Sequence, residues 1–131
     1  MVVQNKSMLI AICYFIFISI LFLLPGSAFP KNNFLAKIHF DKWVHIGLFS
    51  LLTFLFCNAL KPRTTAGSLW IFAAAICYGI LVEFIQHQFI VNRSLDLYDW
   101  AADIGGALAG ICFWKYLKKI DPCRNRGRNQ N

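Results

Sequence analysis

The segment WVHIGLFSLLTFLFCNAL, residues 43–60, decides the fold. It contains no acidic residue, lysine or arginine, and its most polar side chains are those of His45 and Asn58. An α-helix needs about 20 mostly apolar residues to cross the hydrocarbon core of a bilayer. The segment therefore predicts a transmembrane helix, which ends at a short basic turn where Pro62 stops it.

Three further apolar runs flank this segment, at residues 8–24, 68–88 and 97–117. Together the four runs predict an all-α integral membrane protein, with four transmembrane helices in a compact bundle. The bundle forms a single domain over residues 1–131, and residues 118–131 form a basic cytoplasmic tail.

Two of these runs allow another interpretation. The first could be a cleaved signal peptide, because Gly26-Ser27-Ala28 resembles a small-residue cleavage site, but the run is longer than a usual signal core and a retained helix is favoured. The fourth could be a re-entrant or interfacial segment, because its purely apolar stretch covers only residues 104–114.

The composition excludes an ordinary soluble domain. Hydrophobic residues make up 58% of the 131 residues and charged residues only 15%, whereas soluble domains carry about 25% charged residues. The net charge of +7 does not indicate nucleic-acid binding, because the basic residues flank apolar runs and no basic face is interleaved with stacking aromatics. The five cysteines form no CxxC pair, so they predict neither a disulfide framework nor a zinc site.

The basic residues also predict the orientation. With both termini in the cytoplasm, nine of the thirteen lysines and arginines lie on the inner side and four on the outer side. The inner side of a membrane protein is the more basic one. The expected topology is therefore N-in, C-in, and four tryptophans lie near the predicted ends of the spans, as aromatic belts do: Trp43, Trp70, Trp100 and Trp114.

With this topology, five of the six acidic residues converge on the outer side, together with other polar residues. The spacings i, i+3, i+4 and i+7 place each set on one stripe of its helix, as a shared pocket requires. Ionisable groups within a membrane are costly and indicate a functional site. The converging residues are Asp41, Lys42, His45, Glu83, Gln86, His87, Arg93, Ser94, Asp96, Asp99 and Asp103.

Some of these residues also have a structural interpretation. Asp96 suits the N-cap of the fourth helix, and Asp99 lies in its first turn, where the helix dipole favours an anion. His87 suits a solvated position near the interface, and Lys42 could extend its amine to the interface. Glu83 and Asp103 could instead link helices by hydrogen bonds or ion pairs.

Small residues form a ladder along the fourth helix and let another helix approach closely. The ladder packs within the bundle or, alternatively, between two copies in a homodimer. Its residues are Ala102, Gly105, Gly106 and Gly110.

The order of the polar segments resembles that of the VanZ-like family of small bacterial membrane proteins. The matching segments are Leu24-Pro25-Gly26, Phe40 to His45, Glu83 to Gln86, Arg93 to Asp99, and Asp103 with Gly105-Gly106. The resemblance covers residues 24–110. The family commonly has asparagine where this chain has Asp103. The resemblance implies a bacterial cytoplasmic (inner) membrane location and a link to tolerance of the glycopeptide antibiotic teicoplanin.

The sequence is compatible with several functions, and it does not choose between an enzyme and a binding protein. In the first, the outward pocket binds or modifies a cell-envelope component, such as a lipid-linked cell-wall precursor or a phospholipid headgroup. His45, Glu83, Asp99 and Asp103 are the candidates for acid/base work. The candidates for binding substrate are Arg93, Asp41, Lys42, Gln86, Ser94 and Asp96, with Arg93 suited to an anionic group.

No cofactor motif is evident in the sequence. A divalent metal could be held by His45, Glu83 and Asp99, but the only support for it is that imidazole and carboxylate groups are common metal ligands. Two alternatives remain open. A small ion-coupled transporter would use protonatable Glu83 and Asp103. A non-catalytic assembly partner would use its polar groups only to hold helices together.

Overall fold

The structure, a computed structural model, describes residues 2–24, 40–89 and 97–120, with side chains in the first helix from Lys6 onward. Four α-helices account for almost all of this, and no strand occurs among the described residues. The all-α prediction is confirmed. The helices are α1 (Val2–Leu23), α2 (Phe40–Leu60), α3 (Thr65–Phe89) and α4 (Leu97–Ile120).

The helices extend up to six residues beyond the predicted apolar runs. The additional residues of α1 include Asn5 and Lys6, and those of α4 include Lys118 and Lys119. Hydropathy marks where a chain enters lipid, whereas a helix continues for as long as its backbone hydrogen bonds are satisfied. Polar residues therefore extend each helix beyond its apolar part.

Three of the helices are long and apolar enough to cross a membrane. The spans are Lys6–Leu23 in α1, and the whole of α2 and α3. The fourth helix is not among them, although it is 24 residues long. Its first half carries Asp99 and Asp103 and its second half three lysines, so its mean hydropathy is lower.

Burial in this protein differs from the pattern in a water-soluble domain. Large apolar side chains point outward on every helix; examples are Leu9 (61% exposed), Leu69 (59%), Leu81 (55%) and Phe113 (53%). Several ionisable side chains are buried instead. Large exposed apolar surfaces are rare on soluble monomers and natural in lipid. The burial pattern therefore agrees with the membrane character of the three apolar helices.

Helices α2 and α3 each contact the other three helices, and the most extensive contact in the bundle is that of α2 with α4. The α2–α4 contact is close because Gly106 and Gly110 face the α2 backbone at Ile46 and Ser50. The hydroxyl of Thr53 donates a hydrogen bond across the contact to the carbonyl oxygen of Ala107, at 3.1 Å. Small residues and an interhelical hydrogen bond are the usual means of joining helices in lipid.

Helix α1 is attached to the rest of the bundle by hydrogen bonds of side-chain hydroxyl groups as well as by apolar contacts. The Tyr14 hydroxyl donates to the Leu48 carbonyl oxygen of α2 at 3.1 Å, and the hydroxyls of Ser19 and Tyr78 lie 2.9 Å apart. Ile18 and Phe22 belong to the main apolar core, which also includes residues of the other three helices. These contacts place the end of α1 beside α2 and α3.

A short turn connects α2 to α3. Lys61 has φ of 47°, in the left-handed region, and its backbone N–H donates to the Cys57 carbonyl oxygen at 2.9 Å. This is an αL cap, and Pro62 prevents the helix from continuing. The Thr64 hydroxyl then accepts a hydrogen bond from the Gly67 N–H at 3.1 Å and caps α3.

These connections divide the bundle into two ends. We call the end that contains the N-terminus of α2, the C-terminus of α3 and the N-terminus of α4 the polar end. We call the opposite end, which contains the α2–α3 turn and the C-terminus of α4, the basic end. All acidic residues that the structure describes lie in the half of their helix toward the polar end: Asp41, Glu83, Asp99 and Asp103.

Candidate functional site

Ionisable side chains of α2 and α4 meet at the polar end. We call this group of five residues the polar cluster: Asp41, Lys42, His45, Asp99 and Asp103. Three of its members have buried side chains, namely His45 (2% exposed), Asp99 (5%) and Asp103 (4%). Asp41 is exposed, and the side chain of Lys42 is 23% exposed. The cluster therefore runs from the surface into the bundle.

The deepest part of the cluster is the pair of His45 and Asp103. Nδ1 of His45 lies 2.8 Å from Oδ1 of Asp103, and both groups are buried. An ionised carboxylate only accepts hydrogen bonds, so with Asp103 ionised the hydrogen lies on Nδ1, which donates. This arrangement fixes the imidazole ring and leaves Nε2 to accept a proton or bind a ligand. The Phe22 ring packs beside the imidazole, with centroids 4.9 Å apart.

The outer part of the cluster is the ion pair of Lys42 and Asp99. The ammonium Nζ donates to Oδ1 of Asp99 at 3.0 Å, and Nζ also lies 5.6 Å from the centre of the Tyr98 ring. Asp99 is in the first turn of α4, where the helix dipole favours a negative charge. Lys42 therefore pairs with Asp99 at the N-terminus of α4.

The spacing of the residues places the members of both pairs on one stripe of each helix. Lys42 and His45 are three residues apart on α2, and Asp99 and Asp103 are four residues apart on α4. Each pair lies on one helical stripe. Since the two glycines of α4 bring the helices close together, the two stripes face each other and the basic residues of α2 meet the acidic residues of α4.

Helix α3 brings two further buried polar side chains to the polar end. Glu83 is 3% exposed and Gln86 is 2% exposed. The Gln86 amide donates from Nε2 to the Phe22 carbonyl oxygen of α1 at 2.7 Å. Gln86 therefore satisfies a carbonyl in the last turn of α1, where carbonyl oxygens commonly need partners from outside the helix. Here the amide holds helices together.

A glycine of α3 provides the space for the Asp103 carboxylate. A Cβ atom at Gly79 would lie 2.8 Å from Oδ2 of Asp103 and 3.3 Å from Cζ of Phe49. A real Cβ does not approach an oxygen this closely, so an alanine would displace the carboxylate. Gly79 lies one turn before Glu83 on the same stripe, and so α3 closes the site over the His45–Asp103 pair.

Three members of the cluster meet a geometric requirement for binding a cation. Asp41, His45 and Asp99 each offer one ligand atom, and these atoms lie within 4.8 Å of one another. Carboxylate oxygen and imidazole nitrogen suit several divalent ions. A histidine that binds a metal usually donates its other ring N–H to a carboxylate, as His45 can to Asp103. Lys42 competes for the cation position, because its ammonium already pairs with Asp99.

The other predicted site residues have different positions. Arg93, Ser94 and Asp96 lie outside the described residues. His87 is exposed near the end of α3. In the small-residue ladder, Ala102, Gly106 and Gly110 are buried, whereas Gly105 is exposed and has no atom within 4 Å of a Cβ position.

Sequence reasoning missed three residues that shape this site: Gly79, Phe22 and Thr53. The position of Gly79 was readable, because a glycine four residues before Glu83 and seven before Gln86 shares their stripe. Phe22 and Thr53 gave no comparable signal. Phe22 acts partly through its carbonyl oxygen, and Thr53 bonds to a backbone carbonyl of another helix, so both depend on how the helices pack.

Comparison with protein-family models, curated proteins and solved structures finds no match for this chain.

Proposed function

We propose that this chain is a VanZ-like multi-pass protein of the bacterial inner membrane, whose polar end faces outward and binds a component of the cell envelope. In this proposal α4 is a fourth span and both termini are cytoplasmic. Its two acidic side chains are paired with Lys42 and His45, which lowers the cost of placing them in the membrane. Nine of thirteen basic residues then lie on the inner side.

The observation that carries the proposal is the convergence of the ligand-forming atoms of Asp41, His45 and Asp99 at the polar end. Burying charged groups in a small membrane protein is costly, and packing alone does not require them. The exposed Asp41 and the part-exposed Lys42 form a route from the surface to the buried pair. A site that runs from the surface into the bundle suits the polar headgroup of a lipid-linked precursor. The lipid chain of the precursor would lie in the bilayer.

The chemistry of the cluster favours a headgroup that carries both charged and hydrogen-bonding groups. Lys42 offers a cation to a phosphate or carboxylate, while Asp41 and Asp99 accept hydrogen bonds from hydroxyls or amides. His45 can transfer a proton through Nε2 while Asp103 holds its ring. Binding alone needs only the outer residues, and a chemical step would use His45.

A second function, that of an assembly partner in the membrane, is favoured by the mutual pairing of the buried groups. Lys42 bonds to Asp99, His45 to Asp103 and Gln86 to a backbone carbonyl, so these side chains already join α2 to α4 and α3 to α1 without a ligand. In that case the carboxylates matter for stability alone, and uncharged isosteres that keep the hydrogen bonds would preserve function.

Conservative substitutions separate these two functions. We expect Glu83→Gln and Asp99→Asn each to abolish rescue of a strain that lacks this protein, scored as growth under cell-wall stress. Each change keeps the size of the side chain, removes its charge and replaces one acceptor oxygen by an NH2 donor. The control is His87→Gln, an exposed residue outside the cluster, which should rescue fully. Membrane levels of each variant are compared by blotting, and full rescue by both carboxylate variants would refute the binding site.

A further inference from the structure

The basic end of the bundle contains a second charged feature, a cleft between the α2–α3 turn and the last turns of α4. Its volume is about 340 Å³. Four cationic side chains line it, together with the hydroxyl-bearing Thr64 and Thr65 and the indole of Trp114. The cationic residues are Arg63, Lys115, Lys118 and Lys119.

The positive charge of this cleft has no carboxylate near it among the described residues. Asp103 is the acidic residue nearest to the cleft along α4, and it precedes Lys115 by 12 residues. This separation is about 18 Å at 1.5 Å per residue. The sequence after α4 adds Asp121 but also Arg124, Arg126 and Arg128, so it remains positive overall.

The cleft offers suitable donors for an anion. The guanidinium of Arg63 matches a phosphate in a bidentate manner, and the lysines provide mobile ammonium groups. The first turn of α3 also lies at the cleft, with Thr65 as its first residue, and free N–H groups at a helix N-terminus favour anions. Lys118 is held beside the cleft by Trp114, with Nζ 4.8 Å from the ring centre.

Apolar side chains are also exposed in the turns of α4 that line the cleft. Leu117 is 41% exposed and Ile120 is 57% exposed in the same turns of α4 that carry the lysines. An anion-binding cleft at the end of a membrane-crossing bundle lies at the depth of the lipid headgroups. Basic pockets between helix ends are suited to anionic lipid headgroups. A free phosphate would use the cations but would gain nothing from the exposed leucine and isoleucine.

We propose that this cleft binds the phosphate headgroup of an anionic phospholipid, whose acyl chains lie along α4 beside Leu117 and Ile120. The inference does not depend on the function of the polar end. Its test compares lipids that differ only in the charge of the headgroup.

The test uses the full chain purified in detergent micelles and titrated with phosphatidylglycerol or phosphatidylcholine, with bound lipid counted by native mass spectrometry. The unchanged protein should retain phosphatidylglycerol in preference to phosphatidylcholine. The double variant Arg63→Gln/Lys118→Gln should bind phosphatidylglycerol about 25-fold more weakly, since each basic residue near a headgroup contributes about fivefold. Both residues are exposed, so the fold should persist.

The matched control is Lys6→Gln/Lys61→Gln, which removes the same charge outside the cleft lining. This control should keep the affinity for phosphatidylglycerol. An equal loss of affinity for phosphatidylglycerol in both double variants would overturn the proposal. It would mean that the lipid is attracted by the overall positive charge of the protein and not by the cleft. Equal retention of the two lipids would also overturn the proposal. Displacement of the lipid by millimolar inorganic phosphate would show a site for soluble anions and would overturn the assignment to a lipid.

Discussion

Asp103→Leu should destabilise the bundle by about 2 kcal/mol or more, because it leaves the buried imidazole of His45 without its partner. A buried polar group that loses its hydrogen bond keeps the cost of its burial. Asp103→Asn should cost less, since the amide oxygen can still accept from Nδ1. The free energy of unfolding is measured by titrating the protein in mixed micelles with a denaturing detergent.

A double variant tests whether this loss comes from the pair itself. Replacing both partners of a buried polar pair by apolar groups is far less costly than replacing one. His45→Phe/Asp103→Leu should therefore be more stable than Asp103→Leu alone. If the two single losses simply add in the double variant, the His45–Asp103 contact does not carry the stability that we assign to it.

Gly110→Ala should destabilise the protein by about 1–3 kcal/mol, the usual cost of overpacking a tight contact. The new methyl group would lie against the Ser50 carbonyl oxygen and the Thr53 hydroxyl, and 2.9 Å from the Ser50 carbonyl carbon. Backbone atoms cannot rotate away, so α2 and α4 must separate. The Thr53 hydrogen bond to Ala107 should lengthen or break as a consequence.

Gly105→Ala is the matched control on the same helix. Nothing lies within 4 Å of the Cβ position at Gly105, so its methyl group would meet open space. Alanine favours a helix over glycine by about 1 kcal/mol, and this variant should be neutral or stabilised. The same detergent titration measures both variants. Equal losses at the two positions would contradict the account, because only Gly110 lies in the close α2–α4 contact.

Much of the helical architecture was predictable from hydropathy. Apolar runs of 17 residues or more with at most one charged residue have few alternatives to a membrane helix, so α1, α2 and α3 followed from hydropathy alone. The fourth helix was harder, because Asp99 and Asp103 interrupt its first half. The length of this segment and its small residues indicated a helix. Its hydropathy alone does not indicate that the helix crosses a membrane.

The candidate site was predictable as a group of residues but not as a set of pairs. Periodicity placed His45, Asp99 and Asp103 on inward stripes of their helices. It did not show that His45 pairs with Asp103 and Lys42 with Asp99. The choice of partners depends on how far α2 is shifted along its axis relative to α4. Gly106 and Gly110 set this register through backbone contacts. A periodicity argument within one helix contains no information on such contacts.

The role of Gln86 shows a different limit of sequence reasoning. The residue suggested a contact with substrate, whereas its amide donates to the Phe22 carbonyl oxygen of α1. Main-chain carbonyls are the same at every residue, so a sequence does not mark which of them lacks a partner. Only the position of α1 beside α3 reveals the acceptor.

The most direct test of the central claim, an outward-facing site at the polar end, is thiol accessibility in intact cells. Single cysteines are placed in a background without native cysteines and treated with a membrane-impermeant reagent. We expect Asp41→Cys to react fastest, with Lys42→Cys and Asp99→Cys slower in the order of their burial. Leu51→Cys, on the apolar surface midway along α2, and Thr65→Cys, at the basic end, should remain unlabelled. Labelling of Thr65→Cys with protection of all three cluster positions would contradict the account.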